Sequence, residues 1–467
     1  MRIFTTLVFS LAIVFPATLS AALPNVVIIL VDDMGYGDAQ CYNPDSKIPT
    51  PNIDRLAADG MRFTDAHAAG PLCHVSRYGL MTGRFPFRKP IQWQNNAVID
   101  EQRMTIASLL QKSNYQTAMV GKWHLGFFED EAFAGPLRGG PADRGFDSYF
   151  GIRASTDIPP YFYIRGTGAV TPPTETIEAS QTEGWSPIQG KFWRAGGIAP
   201  DLKLEEVMPR FTTEAVSVIE NHAKKETEKP LMLYLAYPAP HTPWLPDDEF
   251  VGNTGAGLYG DFVYMVDHQI GKIMASIEKA GMNEDTLVIF SSDNGPVWYP
   301  QDTEKFGHDS LGGLRGMKGG AWEGGHRMPF IVKWPGVVEA GTETDHLVSF
   351  TDVFATLAEL TGTEIQQGQA PDSESFLPVL KGETADPRSP VVLQAGRKHF
   401  MIRSGDWKLI TGPESGGFSK RDRKATADLP PVQLYNLRED IGETTNLYQK
   451  HPEKVKELTA KLNEIRG

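Results

Sequence analysis

The sequence predicts an α/β protein with a large mixed, mostly parallel sheet flanked by helices and a small C-terminal α+β subdomain with a short antiparallel sheet. Continuous apolar runs at residues 25–31, 231–236 and 286–290 are typical of strands buried on both faces of a parallel sheet. Segments with helical periodicity separate these runs up to about residue 365. Beyond it, short strand-like segments follow one another directly, which favours an antiparallel arrangement.

Local patterns predict the individual elements. Helices are predicted at residues 51–60, 74–81, 101–113, 211–225, 262–280, 352–360 and 452–465. Strands are predicted at residues 25–31, 116–120, 231–236, 286–290, 391–393, 399–403, 407–410 and 433–437. Residues 128–210 are rich in Gly, Pro and aromatic residues and have weak periodicity, so we expect an ordered but irregular functional rim there.

The chain divides into three predicted parts. Residues 1–22 have a basic residue, an apolar core and a Ser-Ala-Ala end, which predicts a signal peptide. A membrane anchor is the alternative, but the Thr, Ser and Pro residues within the apolar run favour cleavage and export to the periplasm or the medium. Residues 23–365 form the predicted main domain, and residues 366–467 form the C-terminal subdomain. No later run is long and apolar enough to span a bilayer, so we expect no stable membrane insertion.

Composition limits the partners of the chain. Its 467 residues carry a formal net charge of -13, which argues against a nucleic-acid partner because nucleic-acid binding needs a basic face. An anionic small substrate stays open, because a local cationic pocket can outweigh the overall sign. The chain has two cysteines, Cys41 and Cys73, and therefore no disulfide framework. A single bridge between them is an alternative that would quench a reactive thiol.

The segment at residues 71–84 is the first candidate for chemistry. A helix over residues 74–81 places Cys73 at its N-terminus and Arg77 on the same face, four residues on. The helix dipole and free N–H groups there would favour a negative charge on residue 73. Gly83 is the expected residue that ends the helix. An inert, buried cysteine is the alternative interpretation.

Four predicted strands end in polar residues that suit catalysis. The strands are followed by Asp32-Asp33, by Lys122 and His124, by His241, and by Asp293-Asn294. Ligands bind beyond the carboxyl ends of parallel strands, so we expect these groups to line one crevice. A single such group would more often be a turn residue or a solvated charge. Four groups at strand ends favour a site.

The acidic groups of this set predict a metal ion. Asp32, Asp33, Asp293 and Asn294 offer hard oxygen ligands, which suit Ca²⁺, with Mg²⁺ as the alternative. No Cys or His cluster has a zinc spacing. Cationic side chains would face the metal ion: Arg77, Lys122, His124, His241 and Lys318. A dication and several cations together suit a tetrahedral oxyanion and the transfer of a sulfuryl or phosphoryl group.

With these motifs in place, the sequence resembles the type I sulfatases of the alkaline-phosphatase superfamily over nearly all of residues 23–467. The resemblance rests on motifs that are weak singly and specific together. They are residues 24–27, 32–38, 50–57, the segment around Cys73, 121–126, 143–147, 292–295, 314–319, 322–325, 334–336, 434–437 and 443–447.

The resemblance implies a mechanism and a role for each residue. Cys73 would be oxidised after translation to formylglycine by a separate maturation enzyme, and one hydroxyl of the hydrated aldehyde would attack sulfur. The other hydroxyl would then lose its proton as sulfate leaves. Further roles are implied by position. Asp32, Asp33, Asp293, Asn294 and residue 73 would bind the metal ion; Arg77 and Lys122 would stabilise the ionised diol; His124 would be the base for sulfate release; His241 and Lys318 would bind sulfate and protonate the leaving oxygen. Ser155 would place a hydroxyl near the formylglycine.

One position departs from the family pattern. The family usually has proline two residues after the cysteine, and this chain has Val75. The maturation enzyme reads that region, so Val75 bears on whether Cys73 is converted. The alternatives are a phosphatase or phosphonate monoester hydrolase of the same superfamily and a non-catalytic binder of sulfated glycans with an unconverted Cys73.

The expected substrate is a sulfated carbohydrate, with simple aryl sulfate esters as artificial substrates. Trp244, Trp298, Tyr299 and Trp322 are candidate stacking platforms for a sugar, with packing as an equal alternative. Candidate groups for further anionic substituents are His308, Arg315, Arg397 and Lys398.

Overall fold

The computed structural model describes residues 23–91, 97–128, 133, 135–225, 227–396, 398–418 and 430–467. The predicted signal peptide and Arg397 lie outside the described residues. Within these ranges no helix combines the length and apolar character needed to cross a membrane.

A ten-stranded sheet forms the centre of the molecule, in the order β13-β2-β12-β11-β1-β10-β4-β5-β6-β7. Its strands are β1 (Asn25–Asp32), β2 (Met61–Phe63), β4 (Gln116–Lys122), β5 (Ser148–Ile152), β6 (Ile164–Arg165), β7 (Gly168–Ala169), β10 (Leu231–Pro240), β11 (Thr286–Ser292), β12 (Phe330–Lys333) and β13 (Thr342–Thr344). The central strands β11, β1, β10, β4 and β5 run parallel, whereas β12 pairs antiparallel with β11. The predicted mixed, mostly parallel sheet is confirmed.

Helices cover this sheet. Two small two-stranded sheets lie outside it. The helices are α1 (Pro51–Ala58), α2 (Cys73–Thr82), α3 (Ile106–Lys112), α4 (Val207–Ala223), α5 (Gly257–Lys279), α6 (Pro300–Phe306), α7 (Asp352–Thr361), α8 (Leu377–Leu380) and α9 (Pro452–Arg466). The small sheets pair β3 (Ala66–His67) with β14 (Val348–Ser349), and β8 (Glu175–Ile177) with β9 (Gly196–Ile198). The region at 128–210 is thus irregular but contains short strands.

Specific local features fix two helix boundaries, of which one differs from the prediction and one agrees with it. The helix predicted from residue 101 begins at Ile106, because Thr105 accepts a hydrogen bond from the Ser108 N–H and the Ser108 hydroxyl accepts one from the Thr105 N–H. This capping box fixes the start of the helix. Gly83 ends α2 with φ 61°, as predicted, in the left-handed region that favours glycine.

The C-terminal region forms a separate antiparallel sheet, which confirms the second part of the predicted fold. Its strands lie in the order β15 (Val391–Ala395), β16 (His399–Ser404), β17 (Trp407–Thr411) and β18 (Val432–Asn436). Val392, Leu409 and Leu458 belong to a hydrophobic core of its own, whereas Leu377 and Leu380 pack in the large core. The boundary at residues 365 and 366 stays a prediction.

Candidate active site

Four neighbouring parallel strands deliver polar residues to one edge of the large sheet. In the order β11, β1, β10 and β4, they end beside Asp293, Asp32, His241 and Lys122. Parallel strands point their carboxyl ends the same way, so sequence-distant residues meet here. The strands approach closely: a Cβ on Gly121 would lie 2.0 Å from the Ala236 carbonyl oxygen.

Oxygen donors gather at this edge with incomplete hydrogen bonding. One ligand atom each from Asp32, Asp33, Cys73 and His241 lies within 4.8 Å of the others. Among the described residues, Asp32 Oδ1 and Asn294 Oδ1 are buried and accept no hydrogen bond. Buried oxygens without a donor are costly unless a cation or water satisfies them. The donor set therefore fits a hard divalent cation.

Asp33 is held in an uncommon backbone conformation, with φ 66°. Its backbone N–H donates to Asp293 Oδ1 at 3.4 Å, and its carbonyl oxygen accepts from the Tyr259 hydroxyl at 3.2 Å. The Asn294 side-chain amide donates to Asp33 Oδ1 at 2.6 Å. Backbone strain of this kind persists where surrounding contacts fix it, commonly at functional sites.

Three cations neutralise the three buried carboxylates. Lys122 Nζ contacts Asp32, and Lys318 Nζ contacts Asp33. The guanidinium of Arg77 lies 2.7 Å from Asp293 Oδ2. Burial by itself lowers the pKa of Lys318, but the charges of Asp33 and the other acidic groups around it together outweigh burial, so the pKa is raised and the amine stays charged.

Cys73 is the first residue of α2 and is buried. Its Sγ lies 3.3 Å from Lys318 Nζ. Burial, followed by the charge of Asp32, raises the pKa of the Cys73 thiol to about 12. An unmodified thiol here is therefore neutral at pH 7 and a poor nucleophile. Cys41 and Cys73 are both free, so the alternative of a bridge between them is wrong.

The two candidate histidines differ in their environments. His124 has φ 56°, and neither ring nitrogen has a hydrogen-bond partner among the described residues. Burial, followed by the charge of Lys122, lowers the pKa of His124 well below its ordinary value, so the ring is neutral at pH 7 and has one unprotonated nitrogen. His241 Nε2 lies 3.7 Å from Asp33 Oδ2, and His241 Nδ1 lies 2.7 Å from the Thr242 carbonyl oxygen.

The three predicted substrate-binding residues lie in different environments. Ser155 belongs to the cluster, because its Oγ accepts a hydrogen bond from Lys122 Nζ at 2.6 Å. His308 is fully buried, with Nε2 2.9 Å from Asp38 and Nδ1 3.3 Å from the Lys47 N–H, so both ring nitrogens are occupied.

Arg315 is engaged elsewhere, which leaves its predicted substrate role without support from these contacts. It donates to the Glu443 carbonyl oxygen at 2.7 Å and covers the Trp322 ring at 3.6 Å. The candidate stacking residues Trp244, Trp298 and Trp322 are at most 5% exposed and serve as packing.

Two residues that the sequence did not single out adjoin the site. The ring of His74 lies 5.7 Å from that of His124, centroid to centroid. Asp157 Oδ1 lies 3.9 Å from His241 Nδ1, and Arg194 contacts the same carboxylate. No strand-end signal marks Asp157, because it lies in an irregular segment. The position of His74 directly after Cys73 was a usable signal.

The buried Cys73, the carboxylates around it and the neighbouring cationic side chains together suit a tetrahedral oxyanion ester as ligand. The sulfatase family profile matches residues 24–363, and a profile for the N-sulphoglucosamine sulphohydrolase C-terminal region matches residues 318–467. The chain belongs to the sulfatase family, whose members are sulfuric ester hydrolases. The predicted family and enzyme class are thereby confirmed.

Individual relatives align over most of their length. The chain is 32% identical to an N-acetylgalactosamine-6-O-sulfatase of Bacteroides thetaiotaomicron, over 95% of this chain and 93% of the relative. It is 31% identical to human arylsulfatase A, over 94% and 86%. A solved structure from work on glycosaminoglycan metabolism by Bacteroides thetaiotaomicron superposes with a TM-score of 0.84 at 31% identity, covering 96% of this chain and 100% of that chain.

Proposed function

We propose that this sulfatase hydrolyses sulfate esters of carbohydrates, with residue 73 as the nucleophile after conversion to formylglycine and with Ca²⁺ as the bound cation. The observation that carries the proposal is the position of Cys73. It lies at a helix N-terminus, 3.3 Å from Lys318 Nζ and among carboxylates with unpaired buried oxygens. A neutral thiol in this place has little use without modification.

Four side chains would hold the cation together with residue 73: Asp32, Asp33, Asp293 and Asn294. The unpaired Oδ1 atoms of Asp32 and Asn294 support this assignment, and Mg²⁺ is the alternative ion. When bound, the cation supplies positive charge that polarises a sulfate oxygen.

Residue 73 and its cationic neighbours would carry the attack on sulfur. The hydrated aldehyde form of residue 73 supplies a hydroxyl nucleophile that a buried thiol does not. Arg77 and Lys122 stabilise that hydroxyl as it ionises, since both are buried cations beside the same carboxylate cluster. Ser155 accepts a hydrogen bond from Lys122 and fixes its ammonium group.

Three further residues would handle sulfate and protons. Lys318 binds a sulfate oxygen, because its ammonium group lies next to residue 73. His241, near Asp33, protonates the leaving oxygen of the alcohol. His124 removes a proton from residue 73 during sulfate release, since its neutral ring has no hydrogen-bond partner among the described residues.

The names of relatives indicate which substrate to test first. The bacterial relative and a mouse relative, 31% identical over 90% of this chain and 81% of its own length, are both N-acetylgalactosamine-6-sulfatases. We therefore propose N-acetylgalactosamine 6-sulfate as the first substrate. We also propose that residues 1–22 direct export and that a maturation enzyme of the host converts Cys73.

Mass spectrometry of the peptide that carries Cys73, from protein made in its native host, tests the proposal. We expect the mass of formylglycine together with sulfate release from N-acetylgalactosamine 6-sulfate. An intact thiol without sulfate release would contradict the enzymatic proposal. In a second experiment, Cys73→Ala is expected to abolish sulfate release, whereas the matched change Cys41→Ala should leave it intact. Activity that survives Cys73→Ala would reassign the nucleophile.

Metal removal tests the cation. Treatment with a chelator should abolish activity and lower the melting temperature, because a cation that binds only the folded state stabilises it. Added Ca²⁺ should restore both. Restoration by Mg²⁺ but not by Ca²⁺ would show that calcium is the wrong ion, and activity that resists exhaustive chelation would remove the cation from the proposal.

A further inference from the structure

A cavity of about 820 Å³ lies beside the candidate active site, between the two parts of the molecule. One wall is formed by Leu72, His74 and the segment that follows α2, and the opposite wall by the edge of the C-terminal sheet and the end of α9. This volume lies within the range of about 300–1,000 Å³ that is typical of small-molecule sites. Both chain neighbours of Cys73, Leu72 and His74, line the cavity, whereas Cys73 itself does not.

One side chain connects the wall of the cavity to the candidate catalytic residues. His74 follows Cys73 directly and lines the cavity, and its ring lies 5.7 Å from the ring of His124. A ligand in the cavity would therefore contact a residue that packs against the candidate base. The C-terminal region also contacts the segment that carries Lys318, since the Ala321 N–H donates to the Ser415 carbonyl oxygen at 2.8 Å.

Two aromatic rings and one arginine give the cavity its chemistry. The rings of Phe87 and Phe400 lie 5.7 Å apart at 76°. The Arg466 guanidinium lies 4.0 Å from the centre of the Phe400 ring. In the described part of the chain, Arg466 has no carboxylate partner within salt-bridge distance. Its hydrogen-bond donors thus remain available to an anionic ligand.

The charge of the cavity opposes that of the whole chain. Its charged lining residues are Lys89 and Arg466, and none of its described lining residues is acidic, although the chain has a net charge of -13. Lys89 is partly neutralised by Asp100, whereas Arg466 is not. A wall with the unpaired cation Arg466 and no acidic residue among its described lining suits an anionic ligand.

We propose that this cavity binds a second, negatively charged sugar of an oligosaccharide substrate, next to the sugar whose sulfate is cleaved. The inference rests on the proposed function, because it assumes that the sulfated sugar occupies the neighbouring site. Phe87 and the side of the Phe400 ring that Arg466 leaves uncovered supply apolar surface for the sugar ring. Arg466 pairs with its anionic substituent, a carboxylate or a sulfate, through two parallel N–H donors.

The test compares Arg466→Gln with wild type on three substrates. They are N-acetylgalactosamine 6-sulfate, the disaccharide in which a uronic acid adjoins that sugar, and the same disaccharide with its carboxyl group reduced to an alcohol. We expect kcat/KM for the acidic disaccharide to fall about tenfold, mainly through KM, and the other two values to stay within about twofold. A disaccharide with sulfate instead of carboxylate on the second sugar separates the two anionic substituents.

Two variants serve as controls. Arg55→Gln removes an exposed arginine in α1, outside the cavity, and should change none of the three values. Phe400→Leu keeps apolar volume but removes the flat face, so it should weaken both disaccharides and spare the monosaccharide. If Arg466→Gln changed kcat/KM equally for all three substrates, or changed it for none of them, the inference would be overturned.

A binding measurement separates failure of this inference from failure of the proposed function. Calorimetry with the desulfated acidic disaccharide should detect binding to wild type and about tenfold weaker binding to Arg466→Gln. This result would support the cavity even if no sulfate ester were hydrolysed. Hydrolysis of sulfate esters with no effect of Arg466→Gln on either kinetics or binding would refute the cavity alone.

Discussion

Charge balance around residue 73 accounts for the ligands that the site can accept. Asp32, Asp33 and Asp293 are matched by Arg77, Lys122 and Lys318, so these six buried side chains sum to zero. A divalent cation would bring the sum to +2. A singly charged sulfate ester and one ionised hydroxyl on residue 73 would then restore neutrality. Burial makes such balance important, because an unpaired buried charge is costly.

Replacing Val75 tests whether this residue limits the conversion of Cys73 to formylglycine. It lies in the first turn of α2, before Ser76, whose N–H is bonded to the Leu72 carbonyl oxygen at 2.9 Å. A proline at residue 75 removes no helix hydrogen bond, because the first N–H groups of a helix have no partner within it. We expect Val75→Pro to raise the formylglycine fraction at residue 73 in a generic expression host, measured by mass spectrometry.

The control for that experiment is the native host, where both forms should be converted. The melting temperatures of Val75→Pro and wild type should agree within a few degrees. An unchanged converted fraction in the generic host, with the fold retained, would show that Val75 does not limit maturation.

Among the elements, the buried strands could be predicted and some helix starts could not. Residues 25–31 and 286–290 could be predicted as strands, because strands covered on both faces must be apolar throughout. The start of α3 was placed five residues early, at 101 instead of Ile106, since periodicity does not reveal which polar residue caps a helix.

Thr105 decides the start of α3, and its removal has a predictable cost. Its hydroxyl accepts the Ser108 N–H at 3.1 Å and lies 2.6 Å from the Arg144 carbonyl oxygen. We expect Thr105→Ala to lower the free energy of unfolding by about 1 kcal/mol, within the usual range of about 0.5–2 kcal/mol for a lost cap. Urea unfolding measures this change in the free energy of unfolding. Thr174→Ala, at an exposed loop position, should be neutral, and an equal loss in both variants would contradict the capping role.

In the candidate site, too, a position could be predicted only where the sequence carries a signal for it. Strand-end residues such as Asp32 and Asp293 could be predicted to meet, because parallel topology alone brings them to one edge. The environment of His308 could not be predicted, since its partner Asp38 is 270 positions away and nothing local marks the pair. The stacking of Arg315 on Trp322 could not be predicted from the sequence either.

At the scale of the whole molecule, a buried ionic network joins the large sheet region to the C-terminal sheet. Lys408 of β17 lies 2.8 Å from both Glu323 and Glu443. His67, Glu323 and His326 could in principle hold a metal ion. However, Lys408 lies 3.3 Å from His326 Nε2, and Arg327 lies 2.8 Å from Glu323, so cations already occupy this cluster. We therefore interpret it as a structural connection.

Replacing Lys408 tests whether this network couples the two parts. Lys408→Met keeps most of the length of the side chain but leaves Glu323 and Glu443 as adjacent buried carboxylates, and breaking a buried pair typically costs about 3–5 kcal/mol. We expect the free energy of unfolding in urea to fall by that amount. Lys461→Met removes a lysine from an exposed pair with Glu457 and should cost about 0–1 kcal/mol. Equal losses in the two variants would show that the contacts of Lys408 contribute no more than a surface ion pair.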